Sequence, residues 1–445
     1  MKVGPKDSAA SRPPLGHDHR ARADSDASHE GTPEYENRIS TSDQLPRKVI
    51  VGTVMQPFWG MHPGLENRLR LLTDIVDRLQ AQSQKHYGRG LDLTVLPEMA
   101  VTGEGAPVGN VMEWSYPLEG PVKETFARKA LQHHCYIVVP LYLLEEKPTM
   151  SSSNAAVLFG RKGEIAGIYR KVQLVVDSQT DALEHGAIPG KEVPVFSCGF
   201  GKLGIQICYD MDFAYGWREL ARKGAEIVAW LTQSPETTRP VPRAIEGSYY
   251  IISSTWRHNA SIFEPTGKVV SQVRWQQSMG DPSGIGNRLL ENYTLVQEFD
   301  LSYAIVPWSA TLKNGELLTR TFGDKVGYRY YEDEDRGVFW SNDPQMTIRQ
   351  MLRSLSLKEE REELEHARER YHEAGVPESR ERENPIEAHE DESSQYGGQR
   401  RRTTLYNLTP PPPPVLLGPF GQSVCKTVVS EFSPIHDSEP ALIRL

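Results

Sequence analysis

The chain has 445 residues and a formal net charge of −9, which gives no broad electrostatic reason to bind nucleic acid or an anionic membrane. Hydrophobic residues make up 38%, below the roughly 45–50% of a typical globular domain, so polar segments dilute an otherwise normal core. The four cysteines, Cys135, Cys198, Cys208 and Cys425, form no CxxC pair; this argues against a disulfide scaffold, a structural zinc site or thioredoxin-like chemistry and points to a reducing, cytoplasmic setting.

Residues 1–46 are rich in Ser, Pro, Asp, Glu and Arg, carry few large apolar side chains and read as a disordered tail. They lack the apolar core of a secretory leader, and "GHDHR" within them reads as solvated chain rather than a metal site. Order is expected from "KVIVGTVMQ", a β-rich run. Leu65, Leu69, Leu72, Val76 and Leu79 then advance in steps of four and three, so they line one face of an amphipathic helix. "LDLTVLPE" reads as a buried strand ending at Pro97. A helix around Val122 to Leu131 and the strand "CYIVVPLYL" follow.

"NAAVLFGRKGEIAGIY" and "ASIFEPTGKVVSQV" read as hairpins with Gly-containing turns. Between them come the strand "GKLGIQIC", a helix through Trp217 to Arg222, the strand "AEIVAWL", and "RAIEGSYYIISSTW" as helix into strand. Mixed hairpins and strand–helix alternation predict an α/β domain over residues 47–305, with helices outside and sheets inside. Residues 306–376 read as an extension packing on the core or on a partner subunit. It holds aromatic clusters and a helix started by Asn342 or Asp343 with Pro344, whose apolar face is Ile348, Met351, Leu352 and Leu355. Residues 377–445 read as a disordered charged and Pro-rich tail. No apolar run approaches the roughly 18 residues that span a bilayer.

Three apolar runs end in a reactive group: "TVLPE" in Glu98, "GIYRK" in Lys171 and "IQIC" in Cys208. Singly, each has a structural reading: a helix cap, a surface charge and a core thiol. Together they make an acyl-transfer site. A thiol of ordinary pKa near 8.5 is only a few per cent thiolate at neutral pH, and a carboxylate within reach takes its proton during attack. An ammonium stabilises both the thiolate and the developing oxyanion, and the backbone N–H of Tyr209 completes an oxyanion hole. This chemistry calls for no metal and no cofactor.

The order Glu98, Lys171, Cys208, with spacings of 73 and 37 residues, resembles the nitrilase (carbon–nitrogen hydrolase) superfamily. "LTVLPEMAVTGE" resembles its glutamate motif, "GEIAGIYRKVQL" its lysine motif and "FGKLGIQICYDMDFAYGWRELARKGAEIVAW" its cysteine motif. "RAIEGSYYIISST" and "SIFEPTGKVV" resemble later core segments, so the resemblance spans Lys48 to Leu301. It implies a four-layer αββα sandwich. It implies Glu98 as general base, Cys208 as nucleophile and Lys171 as stabiliser of the tetrahedral intermediate, through a thioester that releases ammonia or an amine. Many members carry a second glutamate after the lysine; Glu184 in "ALEHGAIPG" is the candidate.

"DFAYGW" and "LTQSPE" depart from the Pro-Glu and Pro-Ser usual in the family, which makes Asp212, Tyr215, Thr232 and Gln233 candidates for substrate contact. The "CYD" triplet is similar to amidase and carbamoylase branches, whereas true nitrilases tend to Cys-Trp-Glu. The expected substrate is therefore a small-molecule amide or carbamoyl compound, and the expected assembly a homodimer or larger homo-oligomer. An N-acyltransferase or nitrile-cleaving activity on the same trio is the alternative within the family. Outside it stand a Cys–His enzyme using His133, His134, His185 or His258, and a non-catalytic assembly protein.

Overall fold

Alternation decides which side of each strand is which. In the first run Val49 and Val51 point one way and Ile50 the other, and all three are buried. A strand buried on both faces lies between two packed layers. The computed structural model describes residues 47–103, 111–145, 150–178, 180–274, 293–308 and 312–375; the tails expected at 1–46 and 377–445 lie outside the described residues.

In chain order the elements begin with β1 (Lys48–Val54), α1 (Leu65–Tyr87), β2 (Leu93–Val95), β3 (Tyr116–Pro117), α2 (Pro121–His133), β4 (Tyr136–Glu145), β5 (Ser151–Phe159) and β6 (Ile165–Arg170). Then come β7 (Val195–Cys198), β8 (Gly201–Ile207), α3 (Ala214–Arg222), β9 (Ile227–Leu231), α4 (Pro240–Gly247), β10 (Tyr250–Ser254), β11 (Asn259–Phe263), β12 (Val269–Arg274) and β13 (Thr294–Asp300). One sheet runs β13-β1-β2-β4-β5-β6, with β3 beside β4; the other runs β12-β11-β10-β9-β8-β7. Each has a parallel centre, β1-β2-β4 or β8-β9-β10, flanked by antiparallel strands.

The sheets face each other across one core, where Val49, Val51, Val138 and Leu158 meet Leu203, Ile205, Ala229 and Ile252. The outer face of the first sheet packs Ile50, Ile137 and Val157 against Leu72, Ile75, Leu79 and Phe126 of α1 and α2. The outer face of the second packs Val228, Trp230 and Ile251 against Trp217, Leu220 and Ala244 of α3 and α4. The expected αββα sandwich is the observed one. α1 ends at Gly88, whose φ of +70° is the left-handed conformation that glycine adopts without a Cβ penalty.

After β13 come β14 (Tyr303–Pro307), α5 (Asn314–Phe322), β15 (Val326–Tyr331), β16 (Arg336–Ser341), α6 (Ile348–Ser354) and α7 (Glu360–Glu373). β14-β16-β15 form a third sheet with its own core, in which Val306, Val326 and Phe339 meet Leu318, Ile348, Met351 and Leu352. Sequence reading sees aromatic clusters here and misses the hairpin β15–β16. Its turn, Glu332 to Asp335, has no Gly or Pro, and Asp335 itself takes φ +46°. The α6 cap also differs from expectation. Thr347, not Asn342 or Asp343, caps it: Thr347 Oγ1 accepts from Gln350 N (3.2 Å) while Gln350 Oε1 accepts from Thr347 N (2.8 Å). The third sheet contacts the second through Arg329, which pairs with Glu264 and donates to Tyr250 Oη. Among the described residues no helix is long and apolar enough to cross a membrane.

Candidate active site

Strand ends deliver the chemistry. β2 stops at Val95 and the chain turns through Pro97 to Glu98; β6 stops one residue before Lys171; β8 stops one residue before Cys208. Lys171 Nζ lies 3.1 Å from Glu98 Oε1 and 2.9 Å from Glu184 Oε2. Exposure is 2% for Glu98, 1% for Lys171 and 8% for Glu184, so these charges are removed from water and must satisfy one another. Glu184 comes from the loop between β6 and β7. The Tyr142 hydroxyl donates to its Oε1 (3.1 Å) and Val175 N to its Oε2 (3.4 Å).

Two carboxylates around one ammonium leave a net negative charge. Burial pushes the Glu98 pKa above the usual carboxylate range; the Lys171 charge opposes this and the Glu184 charge adds to it. Burial works against the charge of Lys171, but Glu98 and Glu184 outweigh it and hold the amine protonated. Burial, then the negative charge of Glu98, pushes the Cys208 thiol well up, with Lys171 acting in the opposite sense. The resting sulfur is therefore a thiol. Glu98 Oε1 is occupied by Lys171 and Asn154, whereas Oε2 accepts no bond of good geometry. The thiol lies beside this carboxylate and interacts with it, as it does with Thr232. A thiol next to a carboxylate whose proton affinity is raised and whose second oxygen is open has a proton acceptor in place.

Cys208 is held in a strained turn. Its φ of +44° lies in the left-handed region, which costs an L-residue about 1–2 kcal/mol. The neighbourhood over-determines it. Asp210 accepts from Ile207 N (2.8 Å), Gln173 N (2.9 Å) and the Tyr169 hydroxyl (2.7 Å), which ties the turn after β8 to the segment after Lys171. Trp217 Nε1 donates to Asp210 O (2.9 Å) and Trp230 Nε1 to Cys208 O (3.3 Å). Trp256 Nε1 donates to Glu98 O (2.7 Å), which fixes the other end of the pair.

Of the expected residues, the structure gathers Glu98, Lys171, Cys208, Glu184 and Thr232. Tyr209 follows in the turn, its ring edge-on to Phe213 with centroids 5.4 Å apart. Gln233 is half-buried beside Thr232. Asp212 is exposed and ion-paired with Arg239, and Tyr215 is exposed on α3. The histidines hold other contacts: His133 Nε2 lies 2.7 Å from Asp77 Oδ1, and the His185 ring packs on Trp114. Sequence reading misses Asn154, Tyr142, Asp210, Trp230 and Trp256 as parts of the site. The available signal is a polar side chain in a buried strand, as Asn154 is in "SSSNAAVLF".

A thiol, a carboxylate and an ammonium gathered at strand ends can carry out acyl transfer through a thiol nucleophile. Residues 62–281 match the Carbon-nitrogen hydrolase family profile. The chain is 26% identical over 199 residues to "Probable nitrilase C965.09" of Schizosaccharomyces pombe, covering 41% of this chain and 71% of the relative. It is 24% identical over 232 residues to "Omega-amidase NIT2" of Danio rerio, covering 47% and 82%. Against "Nitrilase" of Pyrococcus abyssi it is 32% identical over 171 residues, covering 37% and 62%. The chain belongs to the carbon–nitrogen hydrolases of the nitrilase superfamily, and it is a hydrolase of carbon–nitrogen bonds other than peptide bonds.

Proposed function

We propose that this enzyme cleaves a non-peptide amide or carbamoyl C–N bond of a small molecule through a thioester on Cys208. The observation that carries the reading is the buried Glu98–Lys171–Glu184 cluster beside a thiol in a strained turn. Cys208 Sγ attacks the carbonyl carbon while Glu98 takes the thiol proton. The oxyanion is stabilised by the Lys171 ammonium and the Tyr209 N–H. The C–N bond breaks as Glu98 returns its proton to the leaving nitrogen. A water then gives up a proton to Glu98 and adds to the thioester carbonyl, and collapse releases the acid and restores the thiol. Glu184 keeps Lys171 charged and in place. Thr232 and Gln233 meet the substrate beside the thiol, and Asp212 and Tyr215 act from the rim.

The "CYD" triplet and the likeness to an omega-amidase support an amide over a nitrile. The test is ammonia release from propionamide, succinamic acid, N-carbamoyl-β-alanine and propionitrile, with peptide mass spectrometry of acid-quenched enzyme. The expected result is ammonia from an amide or carbamoyl compound, an acyl mass on the Cys208 peptide, and neither in C208A. Turnover of the nitrile alone, or acyl transfer to an added amine in preference to water, would replace this reading.

A further inference from the structure

Two carboxylates sharing one ammonium in a buried site repel each other, and something must hold them together. Asn154, in the middle of β5 and fully buried, stands between them. Its Nδ2 donates one proton to Glu98 Oε1 (3.0 Å) and the other to Glu184 Oε1 (2.6 Å). Its backbone carbonyl accepts from Lys171 N (2.8 Å). One residue thus touches all three charged members of the cluster. We propose that Asn154 is a positioning residue that holds Glu98 oriented and ionised to take the Cys208 proton, and so sets the pH above which the thiol reacts. This rests on the reading of Cys208 as nucleophile and Glu98 as base.

The orientation of the amide follows from charge. Turned over, its oxygen would stand at hydrogen-bond distance from two carboxylate oxygens, with no proton between them. Oδ1 has no partner among the described residues, so no competing donor pulls the amide the other way. A buried amide whose oxygen has no partner is costly, so its place between the two carboxylates calls for a role that a hydrocarbon could not fill.

The groups that face Glu98 are Lys171 after β6, Glu184 from the following loop, Cys208 after β8 and the Tyr142 phenol of β4. Lys171 favours the ionised form of Glu98, and Glu184 disfavours it. A hydrogen bond donated to the ionised form lowers a carboxyl pKa. Asn154 therefore acts with Lys171 and against Glu184. It does so without adding a charge that would compete with Lys171 for the oxyanion.

The test needs no known substrate. Iodoacetamide alkylates Cys208: Sγ bonds to the methylene carbon, iodide leaves, and the thiol proton passes to Glu98. The rate at the Cys208 peptide is followed by mass spectrometry from pH 5 to 9 in the full chain, for wild type, N154A, N154D and E98Q. In wild type the rate rises with pH through one ionisation. In N154A that midpoint moves up by about one pH unit and the rate below it falls about tenfold. N154D, equal in size, replaces the donor with a third carboxylate and moves the midpoint further. An unmoved midpoint in either folded variant overturns the inference. So does loss of fold in both, which would make the role of Asn154 purely structural. If wild-type Cys208 reacts no faster than Cys198 at any pH, the nucleophile reading itself fails. If Cys208 is fast and E98Q slows it while both Asn154 variants match wild type, only the role of Asn154 fails.

Discussion

Glu98 and Glu264 are both buried and both paired with a cation, yet they are built differently. Glu264 is saturated. Its Oε2 accepts from Arg329 Nε (2.7 Å), its Oε1 from Thr266 Oγ1 (2.6 Å), and the Tyr331 hydroxyl adds a third interaction. The Arg329 guanidinium is spent as well, on Tyr250 Oη (3.2 Å) and over the Trp340 ring (5.1 Å). Glu98 shares its cation with a second carboxylate and keeps one oxygen without a good hydrogen bond. A carboxylate that joins two parts of a fold has its acceptor sites filled. Glu98, which takes a proton in the proposed mechanism, has a site left open, and its burial raises its affinity for that proton.

E98Q is the sharpest way to break this comparison. Glutamine keeps an oxygen toward Lys171 and Asn154 but cannot take the thiol proton. The kcat/KM for whichever amide is turned over should fall about 10³-fold, within the 10²–10⁴ that a positioned base supplies. Stability should hold or rise, because Lys171 keeps Glu184 and a buried charge disappears. Activity within tenfold of wild type would remove Glu98 from the role of base.

R329M should do the reverse. It strands Glu264, which is 0% exposed, without its cation. Breaking a buried pair from one side costs about 3–5 kcal/mol; because the Arg329 side chain is 30% exposed and partly screened, about 3 kcal/mol is expected. Urea unfolding should register that loss, while kcat at a temperature where the variant stays folded should match wild type. A variant as stable as wild type would mean that Arg329 is a surface residue and that the third sheet is held by apolar contact alone.

Sequence shows, through its strand patterns and the helical steps of α1, an α/β domain with helices outside and sheets inside; the four-layer order comes from the resemblance of the three motifs. It also shows the convergence of Glu98, Lys171 and Cys208, since each closes an apolar strand. What it hides are residues whose partners come from other strands. Asn154 reads as part of a hairpin until Glu98 and Glu184 are seen on either side of its amide. Asp210 reads as one letter of "CYD" until its carboxylate is seen to tie Ile207 to Gln173. The hairpin β15–β16 is hidden for a local reason: Asp335 takes the positive φ that a glycine would have announced.

Asp210 lies between the two carboxylate designs, saturated with donors yet part of the site, and its titration provides the finest test. Burial raises its pKa from 3.8 to about 6, against the bonds from Ile207, Tyr169 and Gln173. A carboxyl whose pKa is raised on folding favours the native state while protonated. Its contribution is full below about pH 4 and is lost as pH rises to about 6, roughly 2–3 kcal/mol in all. Asparagine does not titrate, so D210N lacks this slope. The stability advantage of wild type over D210N, from urea unfolding, should therefore shrink between pH 4 and 6 and stay constant above pH 7. Glu98 titrates in the same direction in both proteins and cancels from the difference. A difference that does not change across that range would mean that Asp210 is ionised throughout, with its three donors outweighing the cost of burial.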